Sequence, residues 1–209
     1  MSFKKAKYKI LRGAISPELS EFCYHYFLNK RKVARLFLDT RWISPFATEW
    51  GRWDDKQTPN TYSHYGDVVM ETLLTKLKPK MEKETGYKLN ETYSYARLYK
   101  KGDILERHKD RYSCEVSTTL NLGGDLWAIY LEPSGKTGRA GIKVDLNPGD
   151  MLLYAGGKVE HWRDRFEGEK CCQVFLHYNN AKLPTAEKNK YDQRHFLGLP
   201  AWFRGMKFS

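Results

Sequence analysis

The sequence has no Cys-x-x-Cys pair, which excludes the usual spacing of a structural zinc site. Its four cysteines are Cys23, Cys114, Cys171 and Cys172. The adjacent pair would point to opposite faces of a strand and would not bridge. No apolar run approaches membrane-spanning length, and the N-terminus has no apolar signal core, so the chain is expected to be cytoplasmic and free of membrane. There is no internal repeat, low-complexity tract or interdomain linker. A long basic arm is also missing. The net charge of +11 is spread thinly, with small concentrations in "FKKAKYKILR" and "KNKYDQRHF". This pattern reads as a lysine-biased soluble surface, so nucleic acid is not expected as a partner.

What is present suits a globular domain. The 209 residues are 41% hydrophobic and 14% aromatic, enough for a substantial core. We read residues 1–209 as one domain: an N-terminal strand, helix and aromatic loop (1–65), a helix plus β core (66–180) and a C-terminal extension (181–209). "FKKAKYKI" suggests an edge strand. Ser16-Pro17-Glu18 has the capping residue, the proline and the acid of a helix start. Leu19, Phe22, Cys23, Tyr26 and Phe27 follow at helical spacing. Residues 40–64 form a long loop carrying Trp42, Trp50 and Trp53, expected to act as a lid or binding loop. A second helix is expected from about 66 to 84, with Pro79 kinking or splitting it.

The pattern then changes. "TYSYARLY", "VSTTLNL", "LWAIYL", "GIKVDL", "DMLLYA" and "CCQVFLHY" are short apolar segments separated by turn signals. Six such strands after two helices predict a mainly β, α+β fold: an antiparallel jelly roll, or double-stranded β-helix, braced by helices.

Within this pattern His108 and Asp110 stand one residue apart beside a "YKKGD" turn, on one face if the segment is extended. His161 lies at the start of a late strand. Two imidazoles and one carboxylate are the facial triad of non-haem Fe(II) oxygenases, which leaves positions free for a co-substrate and O2. A 2-oxo acid with a distal carboxylate would need a cation at the far end of the pocket. Lys170, nine residues after His161, is the first candidate and Arg163 the competing one. Arg97 either lines the same barrel face or pairs with Glu115. His25, His64, His177 and His195 read as structural or surface residues.

"TGYKLNETYSYARLYKKGDILERHKDR" followed by "GDMLLYAGGKVEHWRDRFEGEK" resembles the prolyl-4-hydroxylase-like branch of the Fe(II)/2-oxoglutarate-dependent oxygenases, in a bacterial and phage subgroup. The resemblance covers roughly residues 66–180. It implies a double-stranded β-helix, with His108, Asp110 and His161 as catalytic iron ligands. It further implies 2-oxoglutarate and O2 as co-substrates, Lys170 as the carboxylate clamp, and Tyr99 and Thr119 lining the co-substrate pocket. Leu105 stands where the family often has tyrosine, and Trp127 lies near a usual phenylalanine. The activity implied is hydroxylation of a C–H bond, first of a protein or peptide residue such as proline and second of a free amino acid or small metabolite. Arg97, Trp127, Trp50 and Trp53 are the expected substrate contacts. The paired arginines of the nucleic-acid demethylating branch are missing after Lys170. A non-catalytic jelly-roll binding module would be expected to lose a ligand, and a cupin to carry more histidines in its first motif.

Overall fold

The structure is a computed structural model that describes residues 2–206. A short helical turn, α1 (Phe3–Ala6), leads into strand β1 (Tyr8–Leu11). The expected N-terminal strand is therefore shorter than "FKKAKYKI", but it does lie at a sheet edge. Helix α2 (Pro17–Asp39) starts as its sequence dictates: the Ser16 hydroxyl accepts the Leu19 N–H at 3.3 Å. Cys23 and Phe27 are buried on its inner face, whereas Phe22 is exposed, so the apolar stripe is narrower than the periodicity suggests.

Strand β2 (Tyr62–Tyr65) closes the aromatic loop and precedes α3 (Val68–Thr85). Asp67 caps α3 by accepting the Met70 N–H, and Gly86 ends it in the left-handed region at φ 71°. Pro79 neither splits nor ends this helix. The proline and Thr75, whose carbonyl loses its donor, are both exposed, so water can satisfy the freed acceptor.

Eight further strands follow: β3 (Leu89–Lys100), β4 (Leu105–His108), β5 (Val116–Gly124), β6 (Ile129–Glu132), β7 (Ile142–Val144), β8 (Met151–Tyr154), β9 (Glu160–Arg163) and β10 (Lys170–Asn180). They form two antiparallel sheets, six strands in the order β1-β8-β5-β10-β3-β2 and four in the order β4-β9-β6-β7. This is the expected jelly roll.

Period-two alternation sorts the large sheet into two faces. Ala96, Leu98, Leu120, Leu122, Val174 and Leu176 pack with Phe27, Met70, Leu74, Leu77 and Met81 of the two long helices. The opposite residues, Tyr93, Tyr95, Arg97 and Tyr99 on β3, Ser117 and Thr119 on β5, and Gln173, Phe175 and His177 on β10, face the space between the sheets. Ile129, Leu131, Leu152 and Tyr154 fill one end of that space. Cys171 faces it too, whereas Cys172 packs on the helix side; all four cysteines are free. Among the described residues no helix is long and apolar enough to cross a membrane.

Candidate metal centre

His108 and His161 come together because β4 and β9 are neighbours in the small sheet. Leu105 is paired with Arg163, and His108 with His161. Three steps on β4 thus match two on β9, so β4 carries one extra residue. Regular alternation would send Leu105 and His108 to opposite faces, and the bulge turns both inward. Arg107 points outward instead, its guanidinium 3.9 Å from the centre of the Trp162 ring. The two imidazole centroids are 4.3 Å apart.

Asp110 completes the group. Its N–H donates to the Gly156 carbonyl, which anchors the segment beyond β4 to the turn between β8 and β9. Oδ1 lies 3.5 Å from His161 Nε2 and 3.8 Å from His108 Nε2, and one ligating atom from each residue falls within 4.8 Å of the others. Both Nδ1 atoms are occupied elsewhere: His108 Nδ1 is 2.7 Å from the Glu106 carbonyl and His161 Nδ1 is 3.1 Å from that of Val159. A carbonyl only accepts, so each Nδ1 carries the proton and each Nε2 keeps its lone pair for the shared point. Two neutral imidazole nitrogens and one carboxylate oxygen are a donor set that fits a first-row divalent metal ion.

The carboxylate is held ionised. Burial by itself would raise the Asp110 pKa, but in the metal-free protein a protonated His161, which then gives the carboxylate a hydrogen bond and a charge, with a protonated His177 and the Ser117 hydroxyl, outweighs it and holds the group well below its ordinary value. The Ser117 Oγ–H donates to Asp110 Oδ2 at 2.6 Å. For His108, burial, and repulsion from His161 whenever that ring is protonated, lower the pKa and favour the neutral ligand form.

A cavity of about 380 Å³ opens onto this group. Tyr93, Tyr95 and Phe175 form an aromatic side, and Gln57, Arg97, Lys109 and Arg111 line its polar parts.

Arg97 does line the barrel face, but its ionic partner is Asp55 and not Glu115. Its Nη2 lies 2.6 Å from Asp55 Oδ2 and 2.5 Å from Gln57 Oε1. Glu115 instead accepts the Asn180 N–H. The loop 40–64 therefore meets the cavity at Gln57 and braces its wall through the Asp55–Arg97 pair. Its tryptophans do not. Trp50 packs on Phe37 and Trp53 on Tyr62, both against the helix-side core. Their large apolar rings gain more by covering that core than by facing a polar cavity. Trp127 is likewise absent from the cavity wall. It packs on Tyr99 and Phe166 and donates its ring N–H to the Asp164 carbonyl.

Neither does Lys170 reach the site. It is exposed, and parity places it on the face opposite Cys171, Gln173, Phe175 and His177. Strand β10 also belongs to the large sheet, not beside β9, so the nine-residue spacing crosses between sheets. Arg163, inward-facing like His161 and about 7 Å further along β9, is fully buried. Its Nη1 donates to the Trp127 carbonyl and its Nη2 to Thr119 Oγ1 at 3.3 Å, while its buried Nε has no acceptor. No carboxylate pairs with it among the described residues, and burial pulls its pKa down. Thr119 also donates to Gln173 Oε1 at 3.0 Å. Tyr99 is fully buried in the same cluster. An unpaired buried guanidinium beside a hydroxyl has the chemistry to bind a carboxylate, though neither Arg163 nor Thr119 is among the residues lining the cavity.

Among the inward residues that sequence reasoning did not assign to the site are Ser117 and His177, the latter read as structural or surface. Their signal was parity, since Ser117 shares a face with Thr119 and His177 shares one with Gln173.

No family model matches the sequence, and no curated protein matches it. Solved structures share its architecture, which is the double-stranded β-helix. Many of these structures are Fe(II)/2-oxoglutarate oxygenases. A Pseudomonas putida prolyl-4-hydroxylase superposes with a TM-score of 0.63 at 12% identity, over 85% of this chain and 95% of that one. HygX from Streptomyces hygroscopicus, with nickel, 2-oxoglutarate and hygromycin B bound, gives 0.58 at 15% identity, over 87% and 86%. The viral collagen prolyl hydroxylase of Paramecium Bursaria Chlorella virus-1, in complex with 2-oxoglutarate, gives 0.54 at 10% identity, over 82% and 95%.

Proposed function

We propose that the protein is an Fe(II)- and 2-oxoglutarate-dependent dioxygenase that hydroxylates a C–H bond. The observation that carries this reading is the convergence of His108 Nε2, His161 Nε2 and Asp110 Oδ1 on one point at the floor of an open cavity. Iron, when bound there, supplies O2 activation coupled to oxidative decarboxylation of 2-oxoglutarate to succinate and CO2.

The chain's own residues do the rest. The Glu106 and Val159 carbonyls fix the imidazole tautomers, and Ser117 fixes the carboxylate. Arg163 and Thr119 hold the distal carboxylate of 2-oxoglutarate, because the alternative cation, Lys170, is exposed on the wrong face. Tyr99 covers this end and keeps water from the ion pair, which strengthens it. Tyr93, Tyr95 and Phe175 offer flat apolar surface to a substrate, and Arg97 with Gln57 offers polar contacts.

The substrate of first choice is a residue of a peptide or protein, in line with the two prolyl hydroxylases that share the fold. A small metabolite is the second reading, favoured by the likeness to HygX and by a cavity size that suits a small molecule.

The test is turnover of 2-oxoglutarate to succinate by the Fe(II)-loaded protein, wild type against His108→Ala. Succinate from wild type alone supports the reading. Equal rates in both, or none in either with iron demonstrably bound, reject it. Mass shifts of one oxygen in peptide and metabolite mixtures then separate the two substrate classes.

A further inference from the structure

His177 is buried on β10, lines the cavity, and takes no part in the three-residue group. Its ring packs on Tyr93 with centroids 4.5 Å apart, and its Nδ1 lies 3.0 Å from Ser117 Oγ. Ser117 therefore stands between His177 and the metal-binding carboxylate, 2.6 Å from Asp110 Oδ2 and 3.0 Å from the Cys114 carbonyl.

A serine hydroxyl has one proton to give. The carboxylate oxygen is the shortest and only charged acceptor beside it, so the proton goes there. The oxygen of Ser117 is left to accept, and Nδ1 of His177 must be the donor. A bare Nδ1 would put two lone pairs face to face at 3.0 Å. The direction of the whole chain is thus fixed: His177 Nδ1–H to Ser117 Oγ, then Ser117 Oγ–H to Asp110 Oδ2. This assignment holds whether or not the far nitrogen of the ring carries a proton.

The arrangement has a consequence for the metal. Asp110 can bind an ion through one oxygen or through both. With Oδ2 held by Ser117, and Ser117 in turn polarised by His177, only Oδ1 is presented to the two histidines. A carboxylate free to turn would take a second coordination position, one that a co-substrate needs.

We propose that His177 is a positioning residue that acts through Ser117 to keep Asp110 a one-oxygen ligand and so sets the metal affinity of the site. This inference rests on the assignment of His108, Asp110 and His161 as ligands. It predicts that two residues outside the ligand set are linked in one relay.

Titration of the metal-free protein with Co(II), followed by the visible d–d absorption of the ion, tests it without turnover. H177F keeps a flat ring against Tyr93 and removes the donor, so its apparent Co(II) dissociation constant should rise about 10- to 100-fold. H177N returns an N–H near the Nδ1 position and should recover most of that loss. S117A removes the link while sparing the ring, and should weaken binding to a similar degree. Because the residues act in series, H177F/S117A should bind no worse than S117A. S117A and H177N carry the test if phenylalanine unfolds the chain, which thermal melting of the metal-free proteins reveals.

Unchanged affinity in H177F or S117A, additive losses in the double variant, or no recovery by H177N in a folded protein would each overturn the proposal. Absence of Co(II) binding in wild type would instead remove the ligand assignment beneath it, so the two failures are distinguishable.

Discussion

His108 and His161 are direct partners across β4 and β9, with imidazole centroids 4.3 Å apart, although a whole hairpin-rich half of the barrel separates them in sequence. A metal ion held by both would fasten two strands of the small sheet and the segment carrying Asp110. At a concentration 100 times its dissociation constant, such an ion stabilises the folded chain by about 2.7 kcal/mol. For a chain of this size that corresponds to a rise in melting temperature of about 5–11 °C. Thermal melts with and without Ni(II) should show this rise in wild type and none in His108→Ala or His161→Ala.

Gly156 should be intolerant of the smallest side chain. A Cβ there would run into Ser117 Oγ, Asp110 Oδ2 and the Cys114 carbonyl, the atoms that orient the carboxylate. The Cys114 carbonyl is backbone and fixed, so the Asp110–Ser117 pair must give way. G156A should lower Co(II) affinity at least about tenfold, while G157A, with only the Asp110 carbonyl near its would-be Cβ and that at 3.8 Å, should bind as wild type does. Parallel metal titrations of the two variants check this.

Arg163 and Lys170 offer a sharper contrast. R163M removes a buried cation that has no carboxylate partner, and so removes a desolvation cost. Its metal-free form should be as stable as wild type or more stable, by about 0–2 kcal/mol, even though the Trp127 carbonyl loses a donor. Its KM for 2-oxoglutarate should rise at least about 100-fold, as expected when a charge-assisted pair worth about 3 kcal/mol is lost. K170A should change neither quantity. Urea unfolding and succinate kinetics on both variants measure this.

Asp55 ties the aromatic loop to the barrel through Arg97 and the Tyr95 hydroxyl, the latter at 2.7 Å. D55A leaves a nearly buried guanidinium without its counter-charge and should cost about 3–5 kcal/mol. It should also speed proteolysis within residues 40–60. Burial works to raise the Asp55 pKa, but the Arg97 charge and the hydrogen bonds from Tyr95 and Gln57 lower it overall. The stability it contributes is therefore fully present above the unfolded carboxylate pKa of about 3.9 and is lost as pH falls below that towards the depressed folded value. The stability difference between wild type and D55A should shrink on acidification through that window, as urea titrations at several pH values would reveal.

The sequence made the barrel legible because its strands alternate and its turns carry Gly, Asp and Pro at regular intervals. The His108, Asp110 and His161 group was legible as a pattern of residue types, since only a few side chains bind metals and the spacing put two of them together. The bulge in β4 was not visible, because "LERH" has no glycine to mark it. Lys170 looked like the clamp by its spacing and by the resemblance; parity on β10, which needs the sheet partner to be known, turns it away and leaves Arg163 buried. The tryptophans of the loop were read as facing a ligand, yet aromatic mass serves a core equally well, and nothing local distinguishes the two. Pro79 was expected to kink or split α3, but the helix runs unbroken through it, and its position on the wet face lets water satisfy the freed carbonyl.

The most direct measurement is a crystal structure of the protein grown anaerobically with Fe(II) and 2-oxoglutarate. The account predicts one ion at about 2.0–2.2 Å from His108 Nε2, His161 Nε2 and a single oxygen of Asp110, with the far carboxylate of 2-oxoglutarate on Arg163 and Thr119. An ion bound elsewhere, or a co-substrate whose carboxylate turns away from Arg163, would contradict it.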